Sequence, residues 1–353
     1  MFTIGRRRGR SSGVAASADT SEAPSHQPLP GPAPHPSAAV SVLCAAGIVV
    51  ALMQTIIVPL IPKLPGLLNA QPGDTAWALT ITLLVGAVIT PIGGRLGDMY
   101  GKRRVLLASM GAVAAGSVVC ALASTLVLFL IGRGLQGLGF GTIALGISVM
   151  RDIVPAHRLG SSVGTMSASL GIGGALGLPV SALLAQHIGW HALFWSCAAA
   201  ASIAGLGIAL TVPESSARSG GRFDVPGAIG LAVMLTCLLL PLSKGPDWGW
   251  GSALTLGMFA AWIVVTALWW VLEKRRANPL INLNTFTLRP VLLTNLASVA
   301  VGFAFYSMQL MPIQVLMATT AGPVGLGLDM VNASLVLAPA ACSCSCSLTS
   351  AHD

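Results

Sequence analysis

Arg133 stands alone in a long apolar run, LVLFLIGRGLQGLGFGTIALGISVM, with Gln136 three residues further on. On a helix the two share one face. Gly137, Gly141, Ala144 and Ser148 extend that face as a small, polar stripe. At 1.5 Å per residue the guanidinium lies about 12 Å below the nearer end of a membrane-length helix. Placing it there costs about 2.5–3.5 kcal/mol, so it must face a cavity or a polar partner. Two roles fit: lining a cavity, or acting as a strut that hydrogen-bonds the backbone of the first apolar run. Gln54, the nearest polar candidate in that first run, faces the same choice between cavity lining and a satisfied interhelical hydrogen bond.

Other chemistry is scarce. All eleven Asp and Glu residues fall in tails, gaps or the ends of apolar runs. The runs therefore hold nothing from which to build a nucleophile–base pair or a metal cluster at depth, which argues against an enzyme. Cys44, Cys120, Cys197 and Cys237 are single and lie in apolar runs, where cysteine behaves as a small hydrophobe. Cys342, Cys344 and Cys346 alternate with serine and lack the CxxC pairs of a zinc site. No metal site is expected.

The elements that carry these residues follow from composition. Charged residues make up 8% of the 353 residues, against about 25% in ordinary soluble domains, and mean hydropathy is +0.81. A bilayer helix needs about 20 apolar residues. Nine runs qualify: Ser37–Ile61, Thr75–Gly93, Arg104–Ala123, Leu126–Met150, Leu159–Ala185, Ala192–Thr211, Val225–Leu242, Ser252–Leu272 and Val291–Ala318. A tenth begins near Gly327 and stops near Ala341. The expected fold class is all-α: a polytopic membrane protein.

The charges orient it. Arg6, Arg7, Arg8 and Arg10 lie in the N-terminal tail, and the other basic clusters fall in every second gap: Arg95 to Arg104, Arg151 and Arg158, Arg218 and Arg222, Lys274 to Arg289. Lys63 and Lys244 fall in the opposite gaps. This alternation is the positive-inside pattern. It predicts a multi-pass protein of the inner (plasma) membrane with a cytosolic N-terminus. Trp190, Trp195, Trp248 and Trp250 sit where an outer aromatic belt belongs. Because the basic residues are spread over loops, with no base-stacking aromatic series beside them, no nucleic-acid partner is expected.

The ends read differently. Residues 1–36, rich in Ser, Ala, Pro and Arg, read as a disordered cytosolic tail. No apolar core follows the early arginines, so this is not a signal peptide. Residues 342–353 are low in complexity and read as an aberrant tail left by a frameshift or a truncated gene.

The segment Gly94-Arg-Leu-Gly-Asp-Met-Tyr-Gly-Lys-Arg-Arg104, placed in the gap between the second and third runs, resembles the loop signature G-x-L-[AG]-D-x-x-G-[RK]-[RK] of the major facilitator superfamily. Gly94 and Gly97 suit close helix approach, and Gly101 a sharp turn. Asp98 can pair with nearby arginines. The resemblance implies a conformational latch made by Gly94, Arg95, Asp98, Gly101, Lys102 and Arg103. Arg133-Gly-Leu-Gln-Gly137 resembles the family's R-x-x-Q-G motif, whose arginine is linked to proton coupling. Ser169, Gly173, Gly177 and Ser181 recur every four residues before and around Pro179, a spacing that lets helices touch. The stretch resembles the family's antiporter motif imperfectly: Leu178 stands where proline is expected, and Ser181-Ala182 replaces Gly-Gly.

Met53 to Pro62 resembles the first helix of the fourteen-span drug:proton antiporter branch, with Gln54 near the place where many members carry an acid. That branch inserts two helices between its six-helix halves. The implied organisation is a six-helix bundle over 37–213, inserted helices over 214–276, and an incomplete second bundle over 277–341, entered through Asn278 to Phe286. The implied function is proton-coupled efflux of a multidrug or metabolite substrate by alternating access, with Gln54, Arg133 and Gln136 lining the cavity. It is driven by the proton gradient without a bound cofactor, by a monomer in the lipid bilayer. The competing expectation is an inactive fragment of such a transporter.

Overall fold

The computed structural model describes residues 36–214, 223–276, 288–318, 326–329 and 331–336. The expected N-terminal tail up to residue 35, the Asn278–Phe286 entry and the aberrant tail lie outside these residues, as do residues 330 and 337–341 of the tenth run. The described residues are helical, with no strand among them.

The helices are α1 (Pro36–Thr55), two short helices α2 (Leu64–Leu68) and α3 (Pro72–Thr75), α4 (Trp77–Tyr100), α5 (Lys102–Ala121), α6 (Leu126–Gly137), α7 (Gly141–Ile153), α8 (Ala156–His187), α9 (Trp190–Thr211), α10 (Val225–Trp248), α11 (Ala253–Lys274) and α12 (Arg289–Met317). Eight helical segments among the described residues are long and apolar enough to cross a membrane. They coincide with the first eight expected runs, with α6 and α7 forming one broken span. The ninth expected run is the 29-residue α12.

Six spans pack into one bundle. α1 lies against α8 and α9, α5 against α9 and α6, and α4 against α6 and α7. Two apolar clusters fill it. One holds Met53, Leu106, Met110, Leu145, Met150 and Met166; the other, towards the opposite end, holds Ile57, Leu60, Phe129, Leu193 and Phe194. In the second, Phe129 meets Phe194 edge-on, with ring centroids 5.4 Å apart. α11 packs on α10, and α10 packs on α4. The outward sides of α9, α11 and α12 stay apolar, with Ile203, Leu206, Leu210, Ile263, Val264, Leu293 and Leu296 all more than half exposed. Such a surface suits lipid, in which a helix satisfies its own backbone polar groups.

Several boundaries move. The expected gap between the second and third runs is almost absent: α4 continues through Tyr100 and α5 begins at Lys102, leaving Gly101 alone between them. Seven further residues extend the second span beyond Gly93, because a helix satisfies its own backbone and need not end where hydropathy falls. The fourth run is interrupted by a 3-10 turn at Leu138–Phe140, within a glycine-rich stretch that tolerates tighter winding. The gap Pro62–Asp74 holds α2 and α3, each with proline at its first turn, where the missing N–H is harmless.

Candidate functional site: a buried arginine network and a basic end

Arg133 has no exposed surface, and neither has Gln136. Its Nε donates to Ala78 O at 3.0 Å, and its Nη1 donates to Met53 O at 3.3 Å and to Gln136 Oε1 at 2.7 Å. Gln136 Nε2 donates in turn to Ser117 Oγ at 2.8 Å, and Ser117 Oγ donates to Val113 O at 2.7 Å. Thr82 Oγ1 donates to Arg133 O at 3.1 Å. One guanidinium thus ties α6 to α1 and α4, and Gln136 extends the tie to α5. The network sits where the two apolar clusters meet, since Ala78 belongs to one and Met53 to the other. The bond to Met53 O is the strut to the first span. No cavity surface is shown at Arg133 or Gln136 in this conformation. Gln54 is half-buried, and its side chain has no hydrogen-bond partner among the described residues.

Ser117, Thr82 and Ala78 carried no signal in the sequence. Ser117 reaches Gln136 because α5 and α6 touch at glycine: a Cβ on Gly116 would lie 2.6 Å from Gly132 O.

The Gly94–Arg104 segment is built differently. Gly101 has φ +106°, a conformation glycine adopts freely, and this reverses the chain in one residue. Gly97 is packed on Leu145, whereas a Cβ on Gly94 would meet nothing within 4 Å. Close approach therefore holds for Gly97 and not for Gly94. Lys102, 8% exposed, donates to Asp152 Oδ2 at 2.7 Å and Ser148 O at 3.4 Å. Arg103 donates to Ala209 O at the end of α9, and Arg104 pairs with Glu214 at 3.6 Å. Asp98 is exposed, Arg95 is half-buried, and neither forms an ion pair among the described residues. The expected cluster of Asp98 with Arg95, Lys102 and Arg103 is thus not assembled here. Its lysine and second arginine are turned towards α7 and α9 instead. Asp152 and Glu214 were missed because their partners lie 50 and 110 positions away in the chain.

The small-residue face of α8 meets α1. A Cβ on Gly173 would lie 2.7 Å from Ile48 O, and one on Gly177 would collide with Thr55 Oγ1. α8 runs on through Pro179. No group of three His, Cys, Asp or Glu side chains able to hold a metal ion occurs among the described residues.

These features can be set beside known proteins. The Major Facilitator Superfamily model matches residues 43–351. The chain belongs to the major facilitator superfamily. The tetracenomycin C resistance and export protein of Streptomyces glaucescens is 32% identical over 299 residues, covering 82% of this chain and 55% of that protein. Multidrug transporter protein MdtP of Bacillus subtilis is 28% identical, covering 70% of this chain and 46% of that protein. A crystal structure of the peptide transporter POT with sulfate aligns at TM-score 0.50 and 15% identity, covering 68% of this chain and 53% of the other. That likeness speaks for the fold. The chain spans about half the length of the curated relatives it matches. With its membrane-length helices it is a multi-pass membrane protein of this superfamily.

Proposed function

We propose that the chain serves the efflux of small organic molecules across the bacterial plasma membrane, coupled to the proton gradient and working by alternating access. The observation that carries this reading is the 32% identity with an export protein over 82% of the chain. The geometry supports it. Alternating access requires bundles that rock as bodies around a midplane site. Within the first bundle, Arg133 ties α6 to α1 and α4 at mid-depth, and at one end Lys102 ties α5 to α7.

In this reading the end bearing Gly101, Lys102, Arg103 and Arg104 faces the cytosol, as does the N-terminus. Asp98 and Arg95, unpaired in this conformation, are the latch groups that engage when the second bundle closes. Gln54 faces the substrate path directly. Arg133 and Gln136 stand behind it, where a small shift of α1 would change the guanidinium's partners, and this is how they couple to proton movement. No cofactor is invoked, and the transporter acts as a monomer.

The test is ethidium efflux from exporter-deficient cells expressing the chain, with and without a protonophore. Energised efflux that the protonophore abolishes is the expected result. Ethidium accumulation equal to that of empty-vector cells would overturn the reading.

A further inference from the structure

Polar side-chain contacts tie the inserted pair α10–α11 to the first bundle near the end of α10. There, Lys244 reaches across to α3, which leads directly into α4. Its Nζ donates to Gly73 O at 3.1 Å, Asp74 Oδ1 at 2.9 Å and Asp247 Oδ2 at 3.1 Å. An ammonium has three donors, and all three are used. The side chain is only 12% exposed, while the two aspartates are about half exposed. A lysine at this end opposes the positive-inside pattern, and two carboxylates hold it there. The carboxylate lies close over glycine: a Cβ on Gly73 would lie 2.7 Å from Asp247 Oδ2. One turn deeper, Thr80 Oγ1 and Ser243 Oγ are hydrogen-bonded at 3.2 Å. At the opposite end of α10 the polar contacts include several within the pair. Asp224 caps α10 through Gly227 N and accepts from Arg276 just beyond α11, and Trp269 donates to Gly227 O.

We infer that Lys244 clamps α10–α11 onto α3 at the head of α4, so that the inserted pair moves with the first bundle as one body. The inference rests on the alternating-access reading for its consequence, but the clamp can be measured without transport. In the chain carrying Thr80→Cys and Ser243→Cys, oxidation in membranes should join the two introduced thiols, and mass spectrometry of the linked peptide distinguishes them from the native cysteines. The crosslinking rate, divided by the alkylation rate of the matched single-cysteine chains under the same conditions to remove the effect of thiol ionisation, should agree within twofold at pH 5.5 and pH 8, and with or without a proton gradient in inverted vesicles. Adding Lys244→Ala should slow this corrected rate at least threefold. A corrected rate that changes fivefold or more with pH or gradient would overturn the shared motion, and one indifferent to Lys244→Ala would overturn the clamp. If the uncrosslinked chain exports ethidium, the crosslinked chain should export it equally. A tenfold loss, reversed by reductant, would also refute the inference. Absence of export in both forms counts against the proposed function and leaves the crosslinking result to decide the clamp.

Discussion

Arg133 and Lys102 are two buried cations in one bundle, held in opposite ways. Arg133 is fully enclosed between the two apolar clusters, and its partners in the structure include the backbone oxygens of Ala78 and Met53 and the amide oxygen of Gln136. Lys102 sits at the basic end and meets a carboxylate, Asp152, that is 40% exposed. Where lipid or packed side chains surround a charge, oriented dipoles from several helices can hold it without a second desolvated ion. Near water a carboxylate costs little to place, and contributes little. The deep cation should therefore behave as structure, and the end cations as adjustable contacts.

The largest test of that contrast is Arg133→Ala. It empties a buried volume and leaves Gln136 without its strongest donor, so stability should fall by about 3 kcal/mol. The midpoint of thermal aggregation in detergent would report it. A shift no larger than that of a surface substitution would end the contrast. Gln136→Leu keeps the volume and cuts the path to Ser117, and a loss of about 1–2 kcal/mol is expected by the same measurement.

Lys102→Ala should cost about 1 kcal/mol, and a double-mutant cycle with Asp152→Ala should recover part of it as coupling. Raising the salt concentration should shrink that coupling while leaving the Arg133→Ala effect unchanged, because enclosed charges are screened little. Arg104→Ala, which removes a partner of Glu214 from a largely exposed site, should change stability by less than about 0.5 kcal/mol. Asp98→Asn should leave the thermal midpoint unmoved yet lower ethidium efflux, if Asp98 is a latch group used only in another conformation.

Much of this architecture was legible in the sequence. Apolar runs of lipid length located eight spans, because a bilayer imposes one length on every crossing helix. The Arg133–Gln136 pair was visible as a helical face, since i,i+3 neighbours meet on any helix. Gly101 announced its turn because few residues but glycine accept a positive φ. The Gly94–Arg104 segment was misread as a loop because hydropathy marks where lipid ends and not where a helix does. The latch expected around Asp98 was drawn from neighbours in sequence, yet Lys102 and Arg103 found partners on α7 and α9.

The sequence by itself determined where eight membrane-length helices lie, where the basic residues cluster, and that a lone arginine must be satisfied at depth, for these follow from burial costs set by residue type. Only the tertiary structure decided which oxygens satisfy that arginine, that Lys102 takes Asp152, and that Lys244 joins Asp74 across 170 positions. Side-chain partners depend on which helices touch, and that in turn depends on where small residues let backbones close. No local pattern records that geometry.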